Sequence, residues 1–393
     1  MKFETRLLHN GNEIDPITGA ASIPLYQAST FHQADVDQPG VYDYARSGNP
    51  TRHALEETIA QLEGGCRGFA FASGMAAISS TLFLFSTGDH LVVSNDLYGG
   101  TFRVLTEVLP RMGIEADFVD TTDLAAVEAA VKPHTRAIYV ETPSNPTLKV
   151  TDLRGIAEIA QRHGLLTVVD NTFLTPYFQR PLELGADIVI HSATKFIGGH
   201  SDVVSGLVAV KDVDVANRLY GLQNALGAVL GVQDSWLTMR GLKTLATRME
   251  AATASAERIA KALSRHPQVK HVYYTGLPDH PGHQLQASQA SGHGAVLSFD
   301  LGSGEKVREV LSQVKLPLVA VSLGAVESIL SYPARMSHAA MPRSEREVRG
   351  VTEGLLRLSV GLEDAGDLLE DLEQAIDGRR FVSIASEWRA SIV

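Results

Sequence analysis

A single cysteine, Cys66, in 393 residues excludes an intrachain disulfide and any site built from several thiolates. It stands in Gly64-Gly65-Cys66-Arg67-Gly68 with no histidine close in sequence, so a buried structural thiol is expected in place of a nucleophile. Long apolar runs are missing as well. No stretch could span a bilayer, and the opening Met1-Lys2-Phe3-Glu4-Thr5-Arg6-Leu7-Leu8 has no apolar core of a secretory signal, so a cytoplasmic protein is expected. Basic residues are in deficit, 34 Lys and Arg against 45 Asp and Glu. The formal charge of −11 argues against nucleic acid or an anionic membrane as the main partner and leaves small metabolites. There is no internal repeat or low-complexity tract. A composition of 44% hydrophobic and 20% charged residues is that of a folded chain long enough for two domains.

Residues 1 to about 50 carry turn formers and aromatics without periodicity, as in Tyr42-Asp43-Tyr44-Ala45-Arg46-Ser47-Gly48-Asn49-Pro50-Thr51, and read as an arm. From His53 the pattern alternates. Helical spacing runs to Leu62, a strand follows at Phe69 to Ala72, a helix from Met75 to Phe85, a strand at His90 to Val93 and a helix around Phe102 to Met112. Further strand and helix segments follow at Ile138 to Val140, Ile156 to His163, Leu165 to Val169 and Ile188 to Ile190. Such alternation predicts an α/β fold with a mostly parallel sheet covered on both faces, and ligands bound at the carboxyl ends of its strands. A long helical stretch from about Trp236 to Ser264 is expected to bridge to a smaller α/β domain with strands near Val269, Ala295 and Leu355. The division expected is an arm at 1–50, a large domain at 51–245 and a smaller domain at 246–393, its last fifteen residues forming a tail without identifiable chemistry.

Lys195 closes His191-Ser192-Ala193-Thr194-Lys195, directly after the apolar run Ile188-Val189-Ile190. An amine at the carboxyl end of a buried strand, preceded by two hydroxyls, suits a Schiff base with pyridoxal phosphate whose phosphate bonds to Ser192 and Thr194. Alone, such a segment is more often a surface lysine ending a strand. Its company points elsewhere: Leu165 to Val169 ends in Asp170-Asn171-Thr172, where a carboxylate could pair with a protonated pyridine nitrogen. Phe69 to Ala77 reads as strand, turn and helix start, whose free N–H groups at Ser73-Gly74-Met75 could receive a phosphate. Tyr98 follows another strand and could lay its ring on a flat heterocycle or simply anchor a loop. Arg357, inside an apolar strand, needs an anionic partner, either a substrate carboxylate or an internal ion pair.

In order along the chain, Tyr44-x-Arg46-x-x-Asn49-Pro50-Thr51, Ser73-Gly74-Met75, Glu141-Thr142-Pro143-Ser144-Asn145-Pro146, Asp170-Asn171-Thr172, Ser192-x-Thr194-Lys195 and Arg357-Leu358-Ser359-Val360-Gly361 resemble the pyridoxal-phosphate enzymes of cysteine and methionine metabolism. That resemblance implies an aspartate-aminotransferase-like fold of type I and a homotetramer made of two active dimers. It implies that Lys195 carries the cofactor, Asp170 faces the pyridine nitrogen, Tyr98 stacks on the ring and Asn145 lies by its hydroxyl. Gly74, Met75, Ser192 and Thr194 would hold the phosphate, Tyr44 and Arg46 the phosphate of the neighbouring subunit, and Ser322 and Arg357 the substrate carboxylate.

Within the family, the segments 223–234 and 322–334 are most similar to bacterial cystathionine β-lyases of the Gram-positive type. Gly100 stands where methionine γ-lyases carry a cysteine, and Val321 where many γ-acting relatives carry a glutamate. The resemblance therefore implies β-elimination from L-cystathionine, with a γ-lyase or γ-synthase as the sibling alternative. A metal-binding or regulatory role for His191, His200 and Asp202 is the rival from another class; their spacing does not match a helical two-histidine motif, and no metal is expected.

Overall fold

The computed structural model describes residues 1–339 and 341–378, so the expected tail at 379–393 lies outside the described residues. Seven strands, β1 (Arg67–Phe71), β2 (His90–Ser94), β3 (Glu115–Val119), β4 (Thr135–Glu141), β5 (Leu166–Asp170), β6 (Ile188–His191) and β7 (Gly206–Val210), form one sheet in the order β1-β7-β6-β5-β4-β2-β3. The five strands from β3 to β6 in that order run parallel, whereas β7 is antiparallel to both β6 and β1. The sheet is the mostly parallel one predicted; β7 and the edge strand β3 are additions to the sequence reading.

Both faces of this sheet are covered, which is why its strands read as unbroken apolar runs. Alternate residues such as Phe69, Leu91, Tyr139, Val168, Ile188 and Val208 face one layer, and Val92, Ile138, Val169, Val189 and Ala209 face the other. The second layer is closed by Leu153, Ile156 and Ile159 of the helix Leu153–His163.

Helix starts follow local chemistry. After the short α1 (Phe3–His9), α2 (Pro50–Glu63) begins with Asn49 accepting from the N–H groups of Thr51 and Arg52, has Pro50 in its first turn and stops at Gly64, φ 76°. α3 (Gly74–Leu82) is capped by Ser73, whose hydroxyl accepts from Ala76 N. The arm is anchored in part on its own chain, since Leu7 of α1 is buried with Leu55 and Ile59 of α2.

A second sheet of β8 (His271–Tyr273), β9 (Val296–Asp300), β10 (Leu318–Val319), β11 (Ile329–Ser331) and β12 (Leu355–Ser359) has the order β10-β11-β12-β9-β8. The predicted Trp236 to Ser264 helix is two helices, Val232–Leu242 and Leu245–Leu263, broken at Lys243 and Thr244. Along the second of these, Leu245, Met249 and Ala252 pack with Leu55 and Ile59, while Ala256, Ile259 and Leu263 pack with Leu297, Phe299 and Leu358 of the second sheet. One correction concerns Cys66. It is exposed, because it lies in the turn between α2 and β1, where its N–H donates to Val210 O and its side chain meets no core.

Candidate active site

The carboxyl ends of β4, β5 and β6 lie side by side and carry Glu141, Asp170 and His191-Ser192. Across them, the Ser73-Gly74-Met75 turn, the segment around Tyr98 and Val321-Ser322 from the second half of the chain enclose a cavity of about 430 Å³. Gly74, Met75, Tyr98, Asn145, Asp170, Ser192, Thr194, Lys195, Ser322 and Arg357 all line it. Tyr44 and Arg46 do not. They line a separate hollow with Gln27, Arg52 and Val229, where Arg46 Nη1 donates to Asn224 O at 2.5 Å and its guanidinium lies over the Tyr44 ring.

Lys195 Nζ donates to Ser322 Oγ at 2.6 Å. Burial, helped by the nearby Arg357 cation, lowers its pKa from 10.5 to about 8. About a tenth of such an amine is neutral at pH 7, against about 0.03% at the ordinary value. Ser322 itself holds φ 85°, a conformation that costs a non-glycine residue about 1–3 kcal/mol. Its carbonyl accepts from Arg357 Nη2 at 2.6 Å, and Arg357 Nη1 donates to Asn145 Oδ1 at 2.8 Å. Arg357 Nε is buried without a partner, and burial lowers this guanidinium to about 10. No ion pair holds Arg357 among the described residues, so its free donor suits an incoming carboxylate.

Asp170 is buried and accepts Thr172 N at 3.1 Å and Thr172 Oγ1 at 2.6 Å, both at Oδ1, which leaves Oδ2 for a cationic partner in the cavity. Burial raises its pKa. Glu141, its in-register neighbour on β4, is pushed well above the carboxylate range by burial and then by the Asp170 charge, and accepts Tyr98 N at 2.8 Å. Two buried carboxyls without an ion-pair partner among the described residues are well matched to a bound cationic ring.

The phosphate end is shaped by close approach. A Cβ on Gly74 would lie 2.8 Å from Ser192 Oγ, so only glycine lets the start of α3 meet that hydroxyl. A Cβ on Gly100 would fall 2.5 Å from Tyr98 Cε1 and 2.7 Å from Met75 Sδ, so this glycine lets the Tyr98 ring lie against Met75. Thr194 is less free than Ser192, since its hydroxyl donates to Ser205 O at 3.1 Å and accepts from Ser205 N at 3.0 Å. These residues fit pyridoxal phosphate: a recessed amine, a carboxylate with an open oxygen, and a helix start within reach of a hydroxyl.

His191 and Glu63 form a fully buried pair at 2.6 Å, and His200 Nδ1 lies 2.8 Å from Gly198 O. Among the described residues, no group of three or more His, Cys, Asp or Glu side chains is placed to hold a metal ion. No helix among them is long and apolar enough to cross a membrane. The sequence reading assigned no site role to Glu141, Arg103, Met336 or Ser337, all of which line the cavity. Glu141 carried a signal, an acid closing an apolar strand as Asp170 does; the other three carried none.

The fold and cavity define an enzyme whose chemistry rests on a bound cofactor. Residues 4–377 match the family model of Cys/Met metabolism PLP-dependent enzymes, and the chain belongs to that family. It is 62% identical to the cystathionine beta-lyase MetC of Bacillus subtilis (strain 168), over 95% of this chain and 96% of that protein. It is also 54% identical to the cystathionine gamma-lyase of the same organism, over 96% of this chain and all of that protein. The crystal structure of cystathionine gamma-lyase from Lactobacillus plantarum complexed with L-serine superposes with a TM-score of 0.93 at 50% identity, covering 96% of this chain and 99% of that one. The protein is a pyridoxal-phosphate enzyme of fold type I.

Proposed function

We propose that the chain catalyses β-elimination from L-cystathionine, producing homocysteine, pyruvate and ammonia. Lys195 would carry the cofactor, Asp170 would accept the pyridine N–H, Tyr98 would lie on the ring, and Asn145 would sit by its hydroxyl. Ser192, Thr194 and the N–H groups of Gly74 and Met75 would hold the phosphate. Bound there, pyridoxal phosphate supplies an electron sink for the pair left when the substrate's α-carbon loses its proton.

The observation that carries this reading is the Lys195 amine, lowered to about 8 and held 2.6 Å from Ser322 Oγ, whose residue also engages Arg357. Arg357 and Ser322 orient the substrate carboxylate, which brings the α-hydrogen toward Nζ. Neutral Lys195 removes that proton, and the hydroxyl of Ser322 steadies the amine. Tyr98 lines the cavity and is 42% exposed, and its phenol delivers a proton to the departing thiolate. Preference for the β-bond is assigned to an apolar wall at Val321, which lines the cavity and brings no carboxylate to the distal end of the substrate.

The γ-acting relative at 54% identity favours a second reading, γ-elimination in the same cavity. Product analysis with L-cystathionine separates the two: pyruvate with homocysteine supports the first, and 2-oxobutyrate with cysteine would replace it. Tyr44 and Arg46 are proposed to serve a neighbouring subunit's phosphate in a homotetramer. Their separation from their own chain's cavity supports that reading.

A further inference from the structure

Arg248 is 6% exposed, yet no carboxylate pairs with it among the described residues. Its guanidinium is instead spent on backbone carbonyls. Nη1 donates to Phe196 O at 2.5 Å, and Nη2 donates to Gly241 O at 2.7 Å and Ile197 O at 3.3 Å. Nε donates to Thr244 Oγ1 at 2.9 Å. Phe196 and Ile197 follow Lys195 directly. Gly241 lies at the end of the helix Val232–Leu242, and Thr244 lies in the break before the helix Leu245–Leu263.

A buried cation is costly, and Arg248 also sits in the first turn of its helix, where the macrodipole disfavours positive charge. Three carbonyl oxygens offset that cost only where they converge, and here two of them, Phe196 O and Ile197 O, belong to the turn that follows Lys195 and the third, Gly241 O, to the end of the preceding helix. The fit is tight on every side. A Cβ on Gly199 would lie 2.2 Å from Arg248 Nη1, and one on Gly241 would lie 2.4 Å from Ile197 O. From the opposite side, Gly324 approaches so closely that a Cβ there would be 2.5 Å from Phe196 N, and Val326 N donates to Gly199 O at 2.8 Å.

We propose that Arg248 is a positioning residue that clamps the Phe196-Ile197 turn to the helix break at Gly241 to Thr244 and so sets where the Lys195 amine stands in the cavity. The clamp acts on the backbone next to Lys195 and touches neither substrate nor cofactor. It rests on the reading of Lys195 as the cofactor-bearing base. Displacing a reacting group by about 1 Å can cost about a hundredfold in rate without a matching loss of binding.

The test uses the full-length holoenzyme and two kinds of reading, steady-state kinetics and hydrogen exchange of named amides. Arg248→Lys keeps the charge and loses the planar fork. It is expected to lower kcat at least about tenfold with KM within about threefold. Exchange of the Lys195, Gly198 and Gly199 amides, bonded within the turn, should quicken at least about tenfold, while the paired Val272 and Phe299 amides stay at the wild-type rate. A second pair guards against a variant that does not fold: Thr244→Ala should lower kcat about threefold and speed the same three amides, and Thr244→Ser should restore both. Wild-type kcat per cofactor-loaded site, or wild-type exchange at those three amides, overturns the proposal, and the Thr244 pair decides if Arg248→Lys yields no folded protein. Lys195→Ala is assayed alongside. Turnover in Lys195→Ala would refute the reading of Lys195, whereas an inactive Lys195→Ala beside an unaffected Arg248→Lys would refute only the clamp.

Discussion

Replacing Lys195 by Met should stabilise the cofactor-free protein, and the gain should depend on pH in a stated direction. The amine falls from 10.5 to about 8 on folding because burial disfavours its charge. A base with a depressed folded value burdens the fold wherever the amine must be charged in the folded state, and stability rises with pH over the range in which the unfolded chain holds more protons. The burden is therefore full below about pH 8 and fades as pH rises toward 10.5. The full value is about 3 kcal/mol at 1.36 kcal/mol per pH unit. Methionine fills a similar volume but gives up the bond to Ser322 Oγ, at a cost of about 1 kcal/mol. Lys195→Met is thus expected to be more stable by about 2 kcal/mol at pH 7. By pH 9.5 the burden on the wild type has shrunk by about 2 kcal/mol, and the two proteins should be nearly equal. Urea unfolding of both cofactor-free proteins at the two pH values measures the double difference. A stability difference that does not change between pH 7 and 9.5 would refute the placement of a buried, largely charged amine at neutral pH.

Three further outcomes follow from the cavity. Asp170→Asn should leave the melting temperature within a few degrees and lower kcat at least about a hundredfold, because a neutral amide cannot keep the pyridine nitrogen protonated; single-turnover proton abstraction at wild-type rate and full cofactor occupancy would contradict this. Mixing inactive Arg46→Ala and Arg357→Ala proteins under subunit exchange should restore about a quarter of wild-type sites, since half the dimers are mixed and one of their two sites is intact if Arg46 acts across the interface. No recovery despite exchange would place Arg46 in its own subunit's site. Val321→Glu should raise the ratio of 2-oxobutyrate to pyruvate formed from L-cystathionine, by about tenfold if the competing barriers move by about 1.4 kcal/mol, as measured by product assay.

The alternation of apolar strands with helices was legible because a sheet buried on both faces writes itself as short runs such as Leu91-Val92-Val93 and Val168-Val169. β7, Gly206-Leu207-Val208-Ala209-Val210, is as apolar and as buried, yet does not stand out in the alternating pattern. It pairs antiparallel with β1 and β6, so it breaks the strand-then-crossover rhythm that marked the others. The site was legible where acid or amine ends a buried run, as at Asp170 and Lys195. Glu141 has that signature too, but nothing local in the sequence assigns it a partner, since Tyr98 N is brought to it only by the fold. Arg248 could not be found from local pattern, since its partners at Phe196, Ile197 and Gly241 are brought to it only by the tertiary fold. Cys66 went wrong for a related reason. The lack of a nearby histidine argues against a nucleophile but does not bury the thiol, and its glycine neighbours serve a turn at the surface.

Borohydride reduction of the purified holoenzyme, followed by proteolysis and peptide mass mapping, addresses most directly whether this cavity is where the cofactor is held. A reduced cofactor adduct confined to the peptide carrying Lys195 is the expected result. An adduct on any other lysine, with Lys195 unmodified, would contradict it.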